Sequence, residues 1–156
     1  VLDFAAMTID KPFNVRFIEY MPTLKEKNWQ ALMVPGDELL ARLAERYPLR
    51  KVTGEALDGP AVNYRILGAA GKLGFITPIS SHFCQDCNRI RVTSSGAVKS
   101  CLFDDGKMSL KRYLESGDDQ GLREELCRVA CIKPHRHAFM SGAADNHLFN
   151  MSQIGG

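Results

Sequence analysis

The first half of the chain carries apolar positions in patterns that predict two helices and a strand. Residues 1–7 match the last turn of a helix, and residues 13–21 match a strand that would need partners from elsewhere. Residues 22–34 have the composition of a loop. Residues 35–37 then begin a helix that Pro48 stops. One apolar stripe along this helix predicts packing on a core, and it consists of Leu39, Leu40, Leu43, Ala44 and Tyr47.

Extended apolar runs in the middle of the chain predict two hairpins. Residues 61–67 and 73–78 form the first pair, and the turn-rich residues 68–72 connect them. Residues 89–93 and 97–103 form the second pair. A cysteine-containing loop lies between the two hairpins.

The last part of the pattern predicts two helices before a tail rich in Gly, Asn and Ser. Ser109 and Gly117 bracket a short helix, Asp118 or Asp119 caps a longer one, and Pro134 ends it. The elements together predict an α+β fold in which antiparallel β-hairpins are flanked by helices.

Composition and charge fit a globular domain and exclude several classes of protein. The 156 residues are 45% hydrophobic and 24% charged, with a formal net charge of +2. That charge is too small to indicate nucleic-acid binding by itself. The sequence has five cysteines but no secretory signal and no apolar stretch long enough to cross a bilayer. We therefore expect a cytoplasmic protein without disulfides and without a membrane partner.

Three of the cysteines are spaced as a metal site. Cys84 and Cys87 form a Cys-x-x-Cys turn, and Cys101 would return to the same place on a later strand. Three thiolates with an open fourth position suit an iron–sulfur cluster that binds a substrate. Zinc is the alternative, with His82 as a fourth ligand that closes the site. Spacing alone leaves both metals open.

Burial in a core is the other role open to cysteines. Cys127 and Cys131 lie four residues apart in a helical pattern, so both can occupy one packed helix face. We expect these two to be core residues and not ligands. The Cys-x-x-Cys spacing argues against that role for Cys84 and Cys87.

The loop length of the second hairpin decides which side chains share a face with Cys101. A two-residue loop pairs Cys101 with Ile90, whereas a three-residue loop pairs it with Arg89. Gly96 at the last loop position suits the left-handed residue of the three-residue loop. We therefore predict the three-residue form.

In that register two cations, Arg91 and Lys99, face each other across the strands. Like charges directly opposite are unfavourable unless an anion lies beside them. Arginine forks suit phosphate oxygens because two parallel hydrogen bonds fix orientation as well as supply energy. The pattern therefore predicts an anionic ligand near the cysteines, although any one of these cations taken singly is typical of a solvated surface.

These residues resemble a known family. Residues 83–93, Phe-Cys-Gln-Asp-Cys-Asn-Arg-Ile-Arg-Val-Thr, followed by Gly96 and by Cys-Leu-Phe at 101–103, resemble the C-terminal cluster motif of the MoaA family. Its members are radical S-adenosylmethionine enzymes, the GTP 3′,8-cyclases of molybdenum cofactor biosynthesis. Residues 15–22 resemble the family's last barrel strand, and residues 154–156 resemble its double-glycine end. The similarity spans essentially the whole chain.

The resemblance implies a division of the chain and a larger parent protein. Residues 1–22 would be the end of a truncated parallel (β/α) barrel, residues 23–140 a cluster- and GTP-binding domain, and residues 141–156 a flexible tail. The family's radical-generating CxxxCxxC motif does not occur in the sequence. We therefore expect the chain to be a C-terminal fragment that is inactive by itself.

The resemblance also implies an activity and its cofactors. In the family, one [4Fe-4S] cluster cleaves S-adenosylmethionine to a radical that abstracts hydrogen from C3′ of GTP. The product is (8S)-3′,8-cyclo-7,8-dihydroguanosine 5′-triphosphate. By similarity Cys84, Cys87 and Cys101 bind a second [4Fe-4S] cluster, whose free iron binds the guanine.

Further positions match substrate and cofactor contacts of the family. Arg89, Arg91 and the backbone of Ile90 match residues that contact GTP. Met21 matches a position that contacts S-adenosylmethionine, although a methionine at a strand end is usually packing. Arg16 matches an arginine that holds substrate or an intermediate, the alternative being a salt bridge with Glu19.

The chain terminus and the partners follow from the same resemblance. Gly155 and Gly156 match a tail that enters the active site, although terminal glycines are usually only frayed. Family members are often homodimers, and their product passes to cyclic pyranopterin monophosphate synthase, with no nucleic acid and no membrane involved. The alternative is a zinc-stabilised module that binds nucleic acid through basic residues, namely Lys133, His135, Arg136 and His137.

Overall fold

The computed structural model describes residues 1–21, 28–54, 59–81, 83–104, 106 and 108–135. They form two compact units, the first ending at Phe83 and the second beginning at Cys84. Helices and mainly antiparallel strands occur in both units, which confirms the predicted α+β class.

In its described residues, the first unit has one four-stranded sheet and two helices. Its elements are α1 (Leu2–Asp10), β1 (Asn14–Ile18), a 3₁₀ turn (Trp29–Leu32), α2 (Gly36–Ala44), β2 (Leu49–Val52), β3 (Val62–Ile66) and β4 (Lys72–Ile76). The strand order is β1-β4-β3-β2, and β3 and β4 form the predicted antiparallel hairpin. Strand β2 pairs antiparallel with β3 and was not predicted.

Strand β1 finds a partner inside the chain. It runs parallel to β4 along its whole length, from Asn14 opposite Lys72 to Ile18 opposite Ile76. The expectation that this strand needs partners from elsewhere was therefore wrong for one of its edges. The close approach depends on Gly71, because a Cβ there would lie 2.3 Å from the carbonyl oxygen of Phe13.

The core of the first unit lies between the two helices and one face of the sheet. The ring of Phe75 packs against Phe17, with centroids 5.5 Å apart, and edge-on against Tyr64 at 5.7 Å. From α2, Leu43 is fully buried, whereas Ala44 is exposed. The predicted stripe is confirmed except at Ala44, and its partly buried members are Leu39, Leu40 and Tyr47.

A buried carboxylate joins three segments of this unit. Glu19 is 4% exposed and follows β1 directly. Its oxygens accept hydrogen bonds from the backbone of Gly36 at 2.9 Å, of Ile79 and Ser80 at 3.0 Å, and from the Ser80 hydroxyl. Burial alone would raise the pKa of Glu19, but these hydrogen bonds outweigh it and lower the pKa below its ordinary value. The carboxylate also lies at the positive end of the α2 dipole.

The described part of the second unit is a small antiparallel sheet with two helices. Its elements are a 3₁₀ turn (Cys84–Asp86), β5 (Arg91–Val92), β6 (Ala97–Lys99), β7 (Met108–Ser109), α3 (Lys111–Ser116) and α4 (Asp119–Cys131). Val98, Leu110 and Val129 form its buried core. Gly117 ends α3 with φ +69°, and the Asp118 side chain caps α4 by accepting from the backbone N–H of Gly121 at 2.9 Å. Both predicted helices are confirmed.

The two cysteines of α4 are not core residues. Cys127 and Cys131 are exposed, so the prediction that they fill a core was wrong. A helix turns 100° per residue, so the face that packs inward is set by residues three and four apart. Those residues are Leu122, Glu125, Leu126 and Val129.

We predict that Glu19→Gln lowers the free energy of unfolding of the first unit by about 1–3 kcal/mol at neutral pH. The reason is that an amide cannot accept hydrogen bonds from every donor that the carboxylate accepts from. The lowered folded-state pKa means that the stabilisation is complete above the ordinary pKa of 4.5 and is lost as the pH falls through the folded-state pKa. The measurement is urea unfolding followed by the fluorescence of Trp29, the single tryptophan.

Glu45→Gln is the matched control, since Glu45 is exposed just after α2. It should leave the unfolding free energy within about 0.5 kcal/mol of the parent. Equal stability of Glu19→Gln and the parent at neutral pH would contradict the assignment of Glu19 as an anchor.

Candidate metal and anion site

The Cys-x-x-Cys segment forms the single turn that its spacing predicts. Cys84 begins a 3₁₀ turn, and the backbone N–H of Cys87 donates to the carbonyl oxygen of Cys84 at 3.3 Å. Both thiols are half-buried. The turn therefore presents two sulfur atoms from one short segment of the second unit.

The third cysteine lies in a loop that a carboxylate holds closed. The backbone N–H of Asp104 donates to the carbonyl oxygen of Cys101 at 3.2 Å. The Asp104 carboxylate accepts from the Ser100 backbone at 2.8 Å, from the Ser100 hydroxyl at 2.7 Å and from the Gly106 backbone at 3.2 Å. Residues on both sides of Cys101 are thus fixed to one side chain.

The three thiols lie close enough to influence one another. Burial raises the pKa of Cys101, and the neighbouring Cys84 and Cys87 sulfurs raise it further. A hydrogen bond from the Phe103 backbone and the charge of Lys133 act in the opposite direction. The three cysteines lie in one part of the second unit, because Lys133 Nζ is 3.8 Å from Cys87 Sγ and 2.7 Å from the carbonyl oxygen of Ser100, the residue before Cys101.

The donor set fits a metal that prefers thiolates. Three neighbouring sulfurs beside one cation suit an iron–sulfur cluster, because the cation offsets part of the thiolate charge. In the described ranges, no three His, Cys, Asp or Glu side chains converge tightly enough to define a metal-ion site. His82, the fourth ligand of the zinc alternative, lies outside the described residues.

The hairpin beside the cysteines has the predicted register. Arg91 pairs with Lys99, and Gly96 has φ +80°, the left-handed conformation expected of the three-residue loop. The loop is closed by Thr93, whose backbone N–H donates to the carbonyl oxygen of Ala97 at 2.8 Å and whose own carbonyl accepts from Gly96 at 2.9 Å. The predicted three-residue form is confirmed.

The strands end before the predicted pair of Arg89 and Cys101. The ladder contains Arg91 with Lys99 and Val92 with Val98. A hydrogen-bonded antiparallel pair uses the carbonyls of both residues. Here the Arg89 carbonyl accepts from Lys133 at 2.6 Å and the Cys101 carbonyl accepts from the backbone N–H of Asp104 at 3.2 Å, so these contacts stand where ladder bonds would otherwise form.

Two cations face each other at the end of this ladder. Lys99 is only 6% exposed, and Arg91 opposite it is half-buried. The Lys99 side chain runs past Gly106, where an added Cβ would lie 3.1 Å from Lys99 Cγ. Arg89 and Ile90 are exposed. The arrangement is the one from which the sequence predicted a nearby anion.

Lys133 contacts both the cysteine turn and the hairpin, a role that the sequence did not predict for it. Its Nζ donates to the carbonyl oxygens of Arg89 at 2.6 Å and Ser100 at 2.7 Å, and lies 3.8 Å from Cys87 Sγ. A lysine just beyond a helix end is usually satisfied by the last helix carbonyls, so no local signal marks it. The nucleic-acid alternative had used it as a surface cation, together with exposed His135.

The remaining predicted site residues belong to the first unit or lie outside the described residues. Arg16 is exposed on β1 opposite Gly74, where an added Cβ would lie 3.2 Å from Arg16 Cγ. Met21 is half-buried after the same strand. Arg136 and His137, like the Gly155 and Gly156 tail, lie outside the described residues.

A bilayer crossing would require a long apolar helix. Over the part of the chain that the structure describes, every helix is too short or too polar for this.

Comparison with known proteins identifies the family. Residues 13–139 match the family described as Molybdenum Cofactor Synthesis C. A protein of Geobacter sulfurreducens named GTP 3′,8-cyclase is 51% identical over 156 residues, which are 100% of this chain and 48% of that protein. Proteins of the same name from Moorella thermoacetica and Pelotomaculum thermopropionicum are 38% and 41% identical, again over 100% of this chain and 48% of their own length.

The matches cover the whole of this chain but only part of each relative. The chain spans about half the length of the curated relatives it matches, while every part of the chain takes part in the match. The family match alone includes both the β1 strand and all three clustered cysteines. The chain therefore belongs to the Molybdenum Cofactor Synthesis C family.

Proposed function

We propose that this chain is the C-terminal half of a GTP 3′,8-cyclase and that its second unit holds the cluster and part of the GTP site. The observation that supports the proposal best is geometric: Cys84 and Cys87 share one turn, and Lys133 contacts both Cys87 and the Ser100 carbonyl next to Cys101, at the end of a basic hairpin. This occurs in a chain that is similar over its whole length to proteins of that name.

The cysteines would act as three ligands of a [4Fe-4S] cluster. A cluster held by three thiolates would supply a fourth iron as a Lewis-acidic position for the guanine. The chain supplies the enclosure: the Cys84–Asp86 turn fixes two sulfurs, and Asp104 fixes the loop that carries Cys101. Half-burial of the three thiols would limit the access of water and oxygen.

The hairpin would bind the nucleotide. Arg91 is half-buried opposite Lys99 in the ladder, and its guanidinium could form paired charge-assisted hydrogen bonds with the phosphate oxygens. Arg89 and Ile90 are exposed residues that follow the cysteine turn in the chain, so they are accessible to a ligand. The chain would thus hold the phosphates through guanidinium groups and leave the guanine to the open metal position.

The family resemblance also assigns roles to residues of the first unit and of the tail in the whole enzyme. There Arg16 would hold substrate or an intermediate, and Met21 would contact S-adenosylmethionine. The Gly155 and Gly156 tail would enter the cavity. These roles, like the division at residues 1–22, 23–140 and 141–156, rest on the family resemblance.

The whole enzyme would need more than this chain supplies. A second [4Fe-4S] cluster and S-adenosylmethionine would generate the radical, and GTP would be converted to (8S)-3′,8-cyclo-7,8-dihydroguanosine 5′-triphosphate. We propose a cytoplasmic homodimer whose product passes to cyclic pyranopterin monophosphate synthase. The half-enzyme would bind GTP but would not cyclise it.

Cysteine substitutions test the ligand assignment. We expect the chain, reconstituted without oxygen, to bind roughly four iron and four sulfide ions, and Cys101→Ala to lose most of both because one of three anchors is removed. The measurement is iron and sulfide analysis with the visible spectrum.

Cys127→Ala and Cys131→Ala are the matched controls, because both cysteines are exposed on α4. They should retain the parent content of iron and sulfide. Tight zinc binding without iron after reconstitution would overturn the cluster and favour the zinc module. A loss in the controls equal to that in Cys101→Ala would contradict the choice of ligands.

Arginine substitution tests the phosphate role of the hairpin. We expect Arg91→Ala to weaken GTP binding by at least about tenfold, because a charge-assisted contact contributes about 1.5–3 kcal/mol. Guanosine, which lacks the phosphates, should bind the variant and the parent alike. Equilibrium dialysis against the reconstituted chain measures both affinities.

Arg123→Ala, which removes an exposed arginine from α4, is the control and should change neither affinity. Unchanged GTP affinity in Arg91→Ala, with cluster content intact, would exclude Arg91 from the phosphate site. An equal loss of guanosine binding would point to damage of the whole site.

A further inference from the structure

The ammonium group of Lys133 occupies the place where the β5–β6 ladder stops. Lys133 lies just beyond the end of α4, and its Nζ reaches the two strand ends. It is 2.6 Å from the Arg89 carbonyl oxygen, 2.7 Å from the Ser100 carbonyl oxygen and 3.8 Å from Cys87 Sγ. One side chain thus contacts both arms of the hairpin and one of the clustered thiols.

We propose that Lys133 is a positioning residue that holds the two cysteine-bearing arms together and tunes the bound cluster through Cys87. The part that concerns the cluster rests on the proposed function. The part that concerns the arms is a property of the chain itself.

The number of donors matches the number of acceptors. A lysine ammonium has three N–H donors on a compact charge, and Lys133 has three acceptors around it. Arginine carries its donors in a planar fork on a longer side chain, so it would not reproduce the same three contacts. Methionine has a similar length and keeps the apolar stem but donates to none of them.

The position explains how the arms are held without strand pairing. Among the described residues the ladder has no pair beyond Arg91 and Lys99, and Cys87 and Cys101 lie beyond these two strand ends in sequence. Lys133 bridges the carbonyl groups of residues 89 and 100, which flank the two cysteines in sequence. Its removal would leave the carbonyl oxygens of Arg89 and Ser100 without their present donor, the second of them in a partly buried position, and the arms would open more readily.

The same contact would alter the electronic properties of a bound cluster. Hydrogen bonds and positive charge at a ligating sulfur stabilise the more negative, reduced state, so they raise the reduction potential. Lys133 provides both at Cys87, and its charge also acts on Cys101. Loss of the ammonium should therefore shift the potential to a more negative value.

The test compares Lys133→Met and Lys133→Arg with the parent chain, and Lys111→Met is the control. Lys111 is an exposed lysine of the same unit, paired with Glu115 at 3.6 Å. In the metal-free chain, amide hydrogen exchange over residues 83–104 should become on the order of tenfold faster in Lys133→Met. Exchange in α4 and in the first unit should stay unchanged, which would show that both units of the variant are folded.

The second readout is the midpoint potential of the reconstituted cluster, followed by electron paramagnetic resonance. We expect a negative shift in Lys133→Met and a smaller one in Lys133→Arg, which keeps the charge, with none in Lys111→Met. Unchanged exchange over residues 83–104 would overturn the bridging role, and an unchanged potential would overturn the tuning role. If the parent chain takes up no iron, the proposed function fails, while the exchange experiment still decides the bridging role.

Discussion

The left-handed conformation of Gly96 is the constraint on which the arrangement of the second unit depends. At φ +80° it closes a three-residue loop and fixes the register of β5 against β6. Val98 then enters the core with Leu110 and Val129. A shift of one residue would exchange the two faces of the strand, removing Val98 from the core and separating the cations from each other.

In each unit, charged side chains form hydrogen bonds with backbone groups that lie outside the strand ladders. In the first unit the Glu19 carboxylate collects backbone N–H groups from the start of α2 and from the segment after β4. In the second unit Asp104 collects N–H groups around Cys101, and Lys133 collects carbonyl oxygens at the open end of the hairpin. Hydrogen bonds to charged groups are strong enough to hold irregular backbone where ladder bonds are absent.

Local signals predicted much of the fold and of the site. The α2 stripe, the β3–β4 hairpin, the Asp118 cap and the register at Gly96 each follow from residues that are near one another in sequence. The parallel pairing of β1 with β4 joins residues far apart in the chain, so no local pattern specifies it. Strands β2 and β7 have four and two residues, too few for a clear period.

The less predictable parts of the site depend on tertiary contacts. Lys133 reaches the hairpin from beyond α4, and nothing in its neighbourhood indicates acceptors more than thirty positions earlier. The exposure of Cys127 and Cys131 follows from which face of α4 packs, and Glu125 takes part in that face with Tyr113 and Arg128 as partners. Because one buried position of this face is a glutamate, the pattern of hydrophobic residues alone does not identify which face of α4 packs inward.

We propose above all that three cysteines of the second unit hold an iron–sulfur cluster whose open position receives the guanine of GTP. The most direct measurement is electron paramagnetic resonance of the reduced, reconstituted chain, with GTP carrying ¹⁵N in its guanine ring. The account predicts that GTP changes the spectrum and that the cluster shows a ¹⁵N coupling. A cluster spectrum that is the same with and without GTP would contradict it.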